Sequence, residues 1–311
     1  MKPNIGYIGL GVMGHACANN LLKAGYPLWV YARRLEQMQQ LVRAGAHACD
    51  TPQALAKHCN LIFTNVSDTE DVWEVILGEQ GIIHGAQIGS TVIDMSTILP
   101  SVTRQIASAL AQKKINMLDA PVSGGSQGAI DGMLSIMVGG KADVFEQALA
   151  VLQVMGKNIV HIGDHGAGQV SKACNQIVIT QTLVAIAEAF SLAVASGVDP
   201  AKVRQALLGG SAGSRILEVH GQRMLTHNFM PGFKAKLHQK DLCIVRQFAD
   251  ELAMNCRAPR WRLRISMRLS RQGWVKRIHL PLLRCLNRCW ARNSEMFLDK
   301  SVAKPSTREQ V

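Results

Sequence analysis

A glycine-rich turn, two arginines, a serine followed by two glycines, and a lysine with an asparagine carry the chemistry legible in this chain. Gly9-Leu10-Gly11-Val12-Met13-Gly14 has the G-x-G-x-x-G spacing and follows the apolar run that begins at Ile5. Gly9 allows a sharp turn, Gly11 lets backbone N–H groups approach a pyrophosphate, and Gly14 lets the following helix lie against the strand. The aligned N–H groups at that helix start attract the anion. About 20 residues on, where an acidic side chain holds the ribose 2′-hydroxyl of NAD, the chain has Ala32-Arg33-Arg34. Two guanidinium groups favour a 2′-phosphate, so NADP(H) is the expected cofactor, with NAD(H) as the alternative if both arginines are exposed helix-start charges. Ser123-Gly124-Gly125 offers a hydroxyl and open backbone N–H groups, a cradle for a carboxylate or a plain strand-to-helix loop. Lys172 and Asn175, in Gly168-Gln169-Val170-Ser171-Lys172-Ala173-Cys174-Asn175-Gln176, stand one helical turn apart on one face.

These groups need a scaffold, and the hydrophobic pattern supplies one. Between the glycine turn and residue 163 short apolar runs alternate with amphipathic segments, as in a doubly wound parallel sheet. The predicted strands are Leu28–Tyr31, Leu61–Thr64, Thr91–Asp94, Asn116–Asp119, Ser135–Val138 and Ile159–Ile162. The predicted helices include Met13–Ala24, Leu35–Arg43, Thr69–Leu77, Pro100–Ala111 and Ala142–Met155. From Gly168 to about Leu252 the chain reads as helix, broken at Gly197, Gly209-Gly210 and Pro231-Gly232. The expected fold class is α/β, an N-terminal Rossmann doubly wound parallel sheet plus an all-α C-terminal domain. The expected domains are residues 1–163 for the nucleotide, 164–255 as a helical substrate and oligomerisation domain, and 256–311 as an atypical arginine-rich tail.

Composition narrows the class further. Eight cysteines show no C-x-x-C pair and no metal-type spacing with histidine, which points to a reduced cytoplasmic protein without a metal site. Ile177–Val198, the most apolar long run, is interrupted by Gln181 and Glu188 and reads as a buried helix, so no membrane partner is expected. The net charge of +12 is concentrated after Cys256, where eleven arginines and three lysines face three acids. The body is near neutral, and a nucleic-acid partner is not expected.

Asp94-Met95-Ser96-Thr97, Asp119-Ala120-Pro121-Val122-Ser123-Gly124-Gly125 and the Gly168–Gln176 segment, in this order behind the glycine turn, resemble the β-hydroxyacid dehydrogenase family. That family holds 3-hydroxyisobutyrate dehydrogenase, tartronate semialdehyde reductase and, more distantly, 6-phosphogluconate dehydrogenase. The resemblance runs from Ile5 to about Asn255. It implies Lys172 as general acid/base, Asn175 as the group that aligns the substrate hydroxyl or carbonyl, and Ser123, Gly124 and Gly125 as the carboxylate grip. It also implies Thr97, Phe233 and Lys240 as cofactor contacts, with Asp241 bracing Lys240; read alone, Thr97 fits an N-cap before Pro100 equally well. His238 reads as structural. The stretches Asp119–Gly125, Leu134–Gly140 and Gly210–Gly221 resemble the tartronate semialdehyde reductase branch, which implies reduction of 2-hydroxy-3-oxopropanoate to D-glycerate. A 3-hydroxyisobutyrate or related β-hydroxyacid activity is the alternative. A non-catalytic nucleotide-binding module of this fold would lack the lysine. The resemblance also implies a small carboxylate-bearing aldehyde or hydroxyacid as substrate and a homo-oligomer.

Past Asn255 the chain reads Cys256-Arg257-Ala258-Pro259-Arg260-Trp261-Arg262, where relatives continue with Leu-Pro and an alanine-rich helix. With arginine codons beginning CG, reading one base earlier restores the sense of that ending. We therefore read residues 256–311 as translated in a shifted frame, which predicts weakened folding, assembly or turnover.

Overall fold

A computed structural model describes residues 2–228 and 235–256. Phe233 and the tail from residue 257 lie outside the described residues. The described chain forms two compact units, one of residues up to Gln176 together with Leu237–Cys256, the other within Ile177–Lys236. The first unit therefore takes in the start of the long helix and most of the last one, which the sequence reading grouped with the helical domain.

The first unit is built on a sheet of β1 (Ile5–Ile8), β2 (Leu28–Tyr31), β3 (His47–Ala48), β4 (Leu61–Thr64), β5 (Thr91–Asp94), β6 (Asn116–Asp119), β7 (Val122–Ser123), β8 (Leu134–Gly140) and β9 (Gly156–Gly163). Its order is β3-β2-β1-β4-β5-β6-β8-β7, with β9 also paired to β8. The first six strands are mutually parallel; β8 runs antiparallel to β6 and β7, while β9 is parallel to β8. The sheet is thus parallel-dominated, as expected, with an antiparallel return at one edge. Burial, not direction, sets the hydrophobic pattern, and β7 with the six-residue helix Gly125–Ile130 connects β6 to an antiparallel β8, a return that needs no full crossover.

The central strands are buried on both faces, as helices on either side require, whereas β3 and β9 are largely exposed. Phe63, Ile93 and Leu118 point into a core shared with Cys17 and Leu21 of α1 (Val12–Lys23) and with later helices. The alternate residues Ile62, Val92 and Met117 point the other way, into a second core. After α1 come α2 (Glu36–Arg43), α3 (Pro52–Ala56), α4 (Thr69–Leu77), α5 (Pro100–Gln112), α6 (Gly125–Ile130) and α7 (Ala142–Leu152). Their starts are written locally. Thr51 accepts from Ala54 N at 3.0 Å ahead of Pro52, and Asp68 accepts from Asp71 N at 3.1 Å, so each caps the orphan donors of its helix.

The long helix α8 (Ala167–Ala195) follows β9, and then α9 (Pro200–Leu208), a π-turn at Leu217–Gly221, α10 (Gln222–Leu225) and α11 (Ala235–Glu251). In the second unit Leu183, Ile186, Ala187 and Phe190 of α8 pack with Leu217 and Met224. By length and composition α8 could cross a membrane, but these apolar side chains are already used in a protein core.

Candidate functional site

The parallel register brings Ile8, Tyr31, Thr64, Asp94 and Asp119 to the carboxyl ends of neighbouring strands, the edge at which open α/β sheets bind ligands. Gly9 leaves β1 with φ +94, and a Cβ there would lie 2.3 Å from Asn65 O. Only glycine fits. A Cβ on Gly14 would stand 1.9 Å from Gly9 O, so α1 passes too close to the turn to carry a side chain at that point. Gly11 differs: among the described residues, no atom beyond its chain neighbours and its own helix backbone lies within 4 Å of where its Cβ would sit. Open space therefore faces the start of α1, whose first turn has no acidic residue, and a pyrophosphate fits that donor set.

Arg33 and Arg34 follow β2 as exposed side chains. No carboxylate occupies the end of β2 itself, but α4 supplies one: Asp71 ion-pairs with Arg33, Nη1 to Oδ1 at 3.0 Å, with the guanidinium side chain still 73% exposed. The sequence reading missed this partner because it lies 38 positions away. Leu10 is buried, while Val12 is exposed and Met13 half-buried at the first turn of α1.

Asp119 joins the sheet to α8. Its Oδ1 accepts from Gly166 N at 2.8 Å and its Oδ2 from Gln169 N at 2.9 Å, so a buried carboxylate caps the helix from the end of β6. Burial raises its pKa, and the two N–H donors oppose that rise. The joint is tight, since a Cβ on Gly168 would lie 2.3 Å from Met137 O. One turn beyond, Lys172 is 8% exposed and donates from Nζ to Val122 O at 2.8 Å. Burial lowers its pKa, the Asp241 carboxylate raises it, and the Lys240 charge lowers it further. Only one of three ammonium hydrogens is used on Val122.

Asn175 donates from Nδ2 to Gln176 Oε1 at 2.9 Å, and Gln176 donates from Nε2 to Asp241 Oδ2 at 2.6 Å. Asp241, paired with Lys240 at 3.1 Å, can only accept, which fixes the Gln176 amide and through it the Asn175 amide. Lys240 also donates to Thr97 O at 2.6 Å. Within the first unit, then, Asn175, Thr97 and Lys240 belong to one hydrogen-bonded network through Gln176 and Asp241, and Lys172 feels that network through the charges of Asp241 and Lys240. Ser123 ends β7 opposite Ser135, Gly124 (φ +138) precedes α6 and Gly125 (φ +66) opens it, and among the described residues no atom beyond its local backbone lies within 4 Å of a Cβ on Gly125. Their link to the lysine is Val122, their neighbour on β7. The sequence reading assigned no role to Gln169, Gln176 or Asp94. Asp94 is fully buried, accepts from Thr64 Oγ1 and Ser96 N through Oδ1, and leaves Oδ2 without a partner. His238 is buried in α11. Among the described residues no group of histidine, cysteine, aspartate and glutamate could hold a metal ion.

Comparisons with known proteins place the chain among NAD(P)-binding oxidoreductases. Residues 4–163 match a family model for the NAD binding domain of 6-phosphogluconate dehydrogenase, and residues 166–270 one for the NAD-binding region of NADP-dependent 3-hydroxyisobutyrate dehydrogenase. The second match carries on past Asn255, where the sequence reading ended the resemblance. The 2-hydroxy-3-oxopropionate reductase of Escherichia coli (strain K12) is 45% identical over 251 residues, covering 81% of this chain and 86% of that protein. The 3-hydroxyisobutyrate dehydrogenase of Pseudomonas aeruginosa is 37% identical over 246 residues, 77% of this chain and 83% of that one. Among solved structures, a Mycobacterium tuberculosis 3-hydroxyisobutyrate dehydrogenase with L-serine superposes with TM-score 0.82 at 26% identity, covering 92% of this chain and 99% of that one. With a glycine turn shaped for a dinucleotide, a buried lysine on the helix that leaves the sheet, and relatives matching through both, the chain belongs to the β-hydroxyacid dehydrogenase family of NAD(P)-binding oxidoreductases acting on CH–OH groups.

Proposed function

We propose that this chain reduces 2-hydroxy-3-oxopropanoate to D-glycerate, with NADP(H) as the preferred cofactor and Lys172 as general acid/base. The observation that carries the reading is Lys172 itself. Its ammonium is buried on α8, its pKa is lowered, and most of its N–H donors remain for a substrate oxygen. The identity to the E. coli reductase supports the choice of substrate.

The dinucleotide, when bound, supplies the hydride that converts a carbonyl carbon to a carbinol. Gly9, Leu10, Gly11, Val12, Met13 and Gly14 hold its pyrophosphate through the N–H groups at the start of α1. Arg33 and Arg34 take a 2′-phosphate, for which Arg33 exchanges its Asp71 partner. Thr97 and Lys240 would contact its nicotinamide side, as the family resemblance also implies for Phe233, which lies outside the described residues. Lys172 gives its proton to the carbonyl oxygen in reduction and takes it back in oxidation, and the lowered pKa eases that release. Asn175, with its amide orientation set by Gln176, keeps Oδ1 and its second N–H for the substrate oxygen. Ser123 and the N–H groups of Gly124 and Gly125 hold the carboxylate.

The test is oxidation of NADPH by the full chain with tartronate semialdehyde, beside NADH and beside methylmalonate semialdehyde as competing conditions. Faster turnover of tartronate semialdehyde with NADPH is the expected result. Preference for methylmalonate semialdehyde would replace the substrate with that of the 3-hydroxyisobutyrate enzymes, and the 37% identity to the P. aeruginosa protein makes that comparison the informative one. We also propose that the chain is a homo-oligomer, which light scattering reports, and that residues 256–311 come from a shifted frame. The second idea fails if resequencing finds no single-base insertion or deletion near codon 255.

A further inference from the structure

We propose that Gln169 is a positioning residue for this reaction: it clamps the β5–α5 loop on both sides of Thr97 and so sets that loop's place relative to Lys172. The inference rests on the proposed role of Lys172.

Gln169 is 2% exposed and lies one turn before Lys172 on α8. Its Nε2 donates to Ser96 O at 2.8 Å and its Oε1 accepts from Ile98 N at 3.1 Å. One amide thus satisfies the backbone on either side of Thr97, leaving Thr97 O to accept from Lys240. The base of the side chain is equally fixed, because Gln169 N donates to Asp119 Oδ2. Ser96 is held from its other sides as well: Asp94 Oδ1 accepts from Ser96 N at 3.1 Å, and Ser96 Oγ accepts from Val66 N at 2.9 Å. The loop therefore has one arrangement, and α8 reads it through a single side chain. The position needs one donor and one acceptor on the same end group. An ionised carboxylate cannot donate to Ser96 O, an aliphatic group can do neither, and Asn would be one methylene short of at least one backbone atom.

The experiment uses the full chain with Gln169→Leu and Gln169→Glu. In cofactor-free protein, hydrogen exchange at the Ile98 amide should speed up roughly tenfold or more in Gln169→Leu, because that N–H loses its acceptor. In turnover, kcat should fall roughly 10–100-fold with KM for the aldehyde little changed, as expected when groups are misplaced and not lost. Gln169→Glu adds a readout that a merely structural role would not move. Its protonated form again offers one donor and one acceptor, so its kcat relative to wild type should recover as pH falls. Unchanged exchange at Ile98, or a Gln169→Glu ratio independent of pH, would overturn the proposal. Full turnover in a Lys172→Met variant would instead remove the acid–base reading while leaving the exchange result intact.

Discussion

Replacing Lys172 with methionine separates the chemical from the structural work of this side chain. Methionine keeps most of the stem volume, so no large cavity opens, but it removes the ammonium. Two stability effects oppose each other. Val122 O loses its donor, which costs about 1 kcal/mol or less because Val122 is only half-buried and water can replace the lysine. Against that, the folded-state pKa of Lys172 lies below its unfolded value, so below the folded pKa the buried charge costs stability. That cost fades as pH rises through the folded pKa, since there the unfolded chain binds the extra proton. At neutral pH the variant should therefore be as stable as wild type or more so, and the difference should shrink in alkaline solution. Catalysis should respond quite differently. Loss of a positioned proton donor corresponds to roughly 10²–10⁴ in kcat, or about 3–5 kcal/mol in the barrier. Thermal melts at pH 7 and 10, NADPH binding by fluorescence, and stopped-flow reduction together decide the matter. A kcat within threefold of wild type, in a folded protein that binds NADPH, refutes the assignment.

Other outcomes follow from the same geometry. Gly11→Ala should leave stability unchanged or slightly raised, since its Cβ meets no protein atom and its φ is ordinary, while NADPH affinity measured by titration falls at least roughly tenfold. Arg34→Ala should raise KM for NADPH by about 10-fold or more and leave that for NADH nearly constant, the loss of a charge-assisted bond to a phosphate being about 1.5–3 kcal/mol. Burial pushes Asp94 up to about 6, with the Ser96 and Thr64 hydrogen bonds opposing it, so its ionised form costs stability above that pH and none below its unfolded pKa. The unfolding free energy of Asp94→Asn relative to wild type should accordingly rise by roughly 3 kcal/mol between pH 4 and 7 in denaturant titrations, and a flat difference would contradict the assignment.

The strands Leu28–Tyr31, Leu61–Thr64, Thr91–Asp94 and Asn116–Asp119 were legible to the residue because each is a short apolar run bounded by turn residues, with both faces buried. His47–Ala48 and Val122–Ser123 were not, since two residues show no period. Helix α7 stops at Leu152, short of the predicted Met155, because Gly156 already pairs in β9 and the chain must turn first. Lys172 and the glycine turn were visible as residue types at fixed spacing. What supports them was not. Gln169 and Asp119 act on backbone atoms contributed by distant segments, and a backbone partner carries no residue identity by which a sequence could announce it. Asp71 reaches Arg33 only because α4 follows the strand next to β1, a fact of topology.

The cap that Asp119 places on α8 has a consequence for how this protein can change. Both carboxylate oxygens are committed to N–H groups, and Gly139 and Gly168 leave no room for a side chain around them, so the joint tolerates almost no substitution. Lys172 stands one turn beyond that joint on α8, whereas Ser123, Gly124 and Gly125 sit on and just after β7 at the sheet edge. On the proposed roles, selection can rework the Ser123–Gly125 grip on the carboxylate, and so exchange one small hydroxyacid for another, without relocating the lysine. On that reading, a lineage carrying this architecture acquires new substrates by mutation beside β7 and keeps one chemistry on α8.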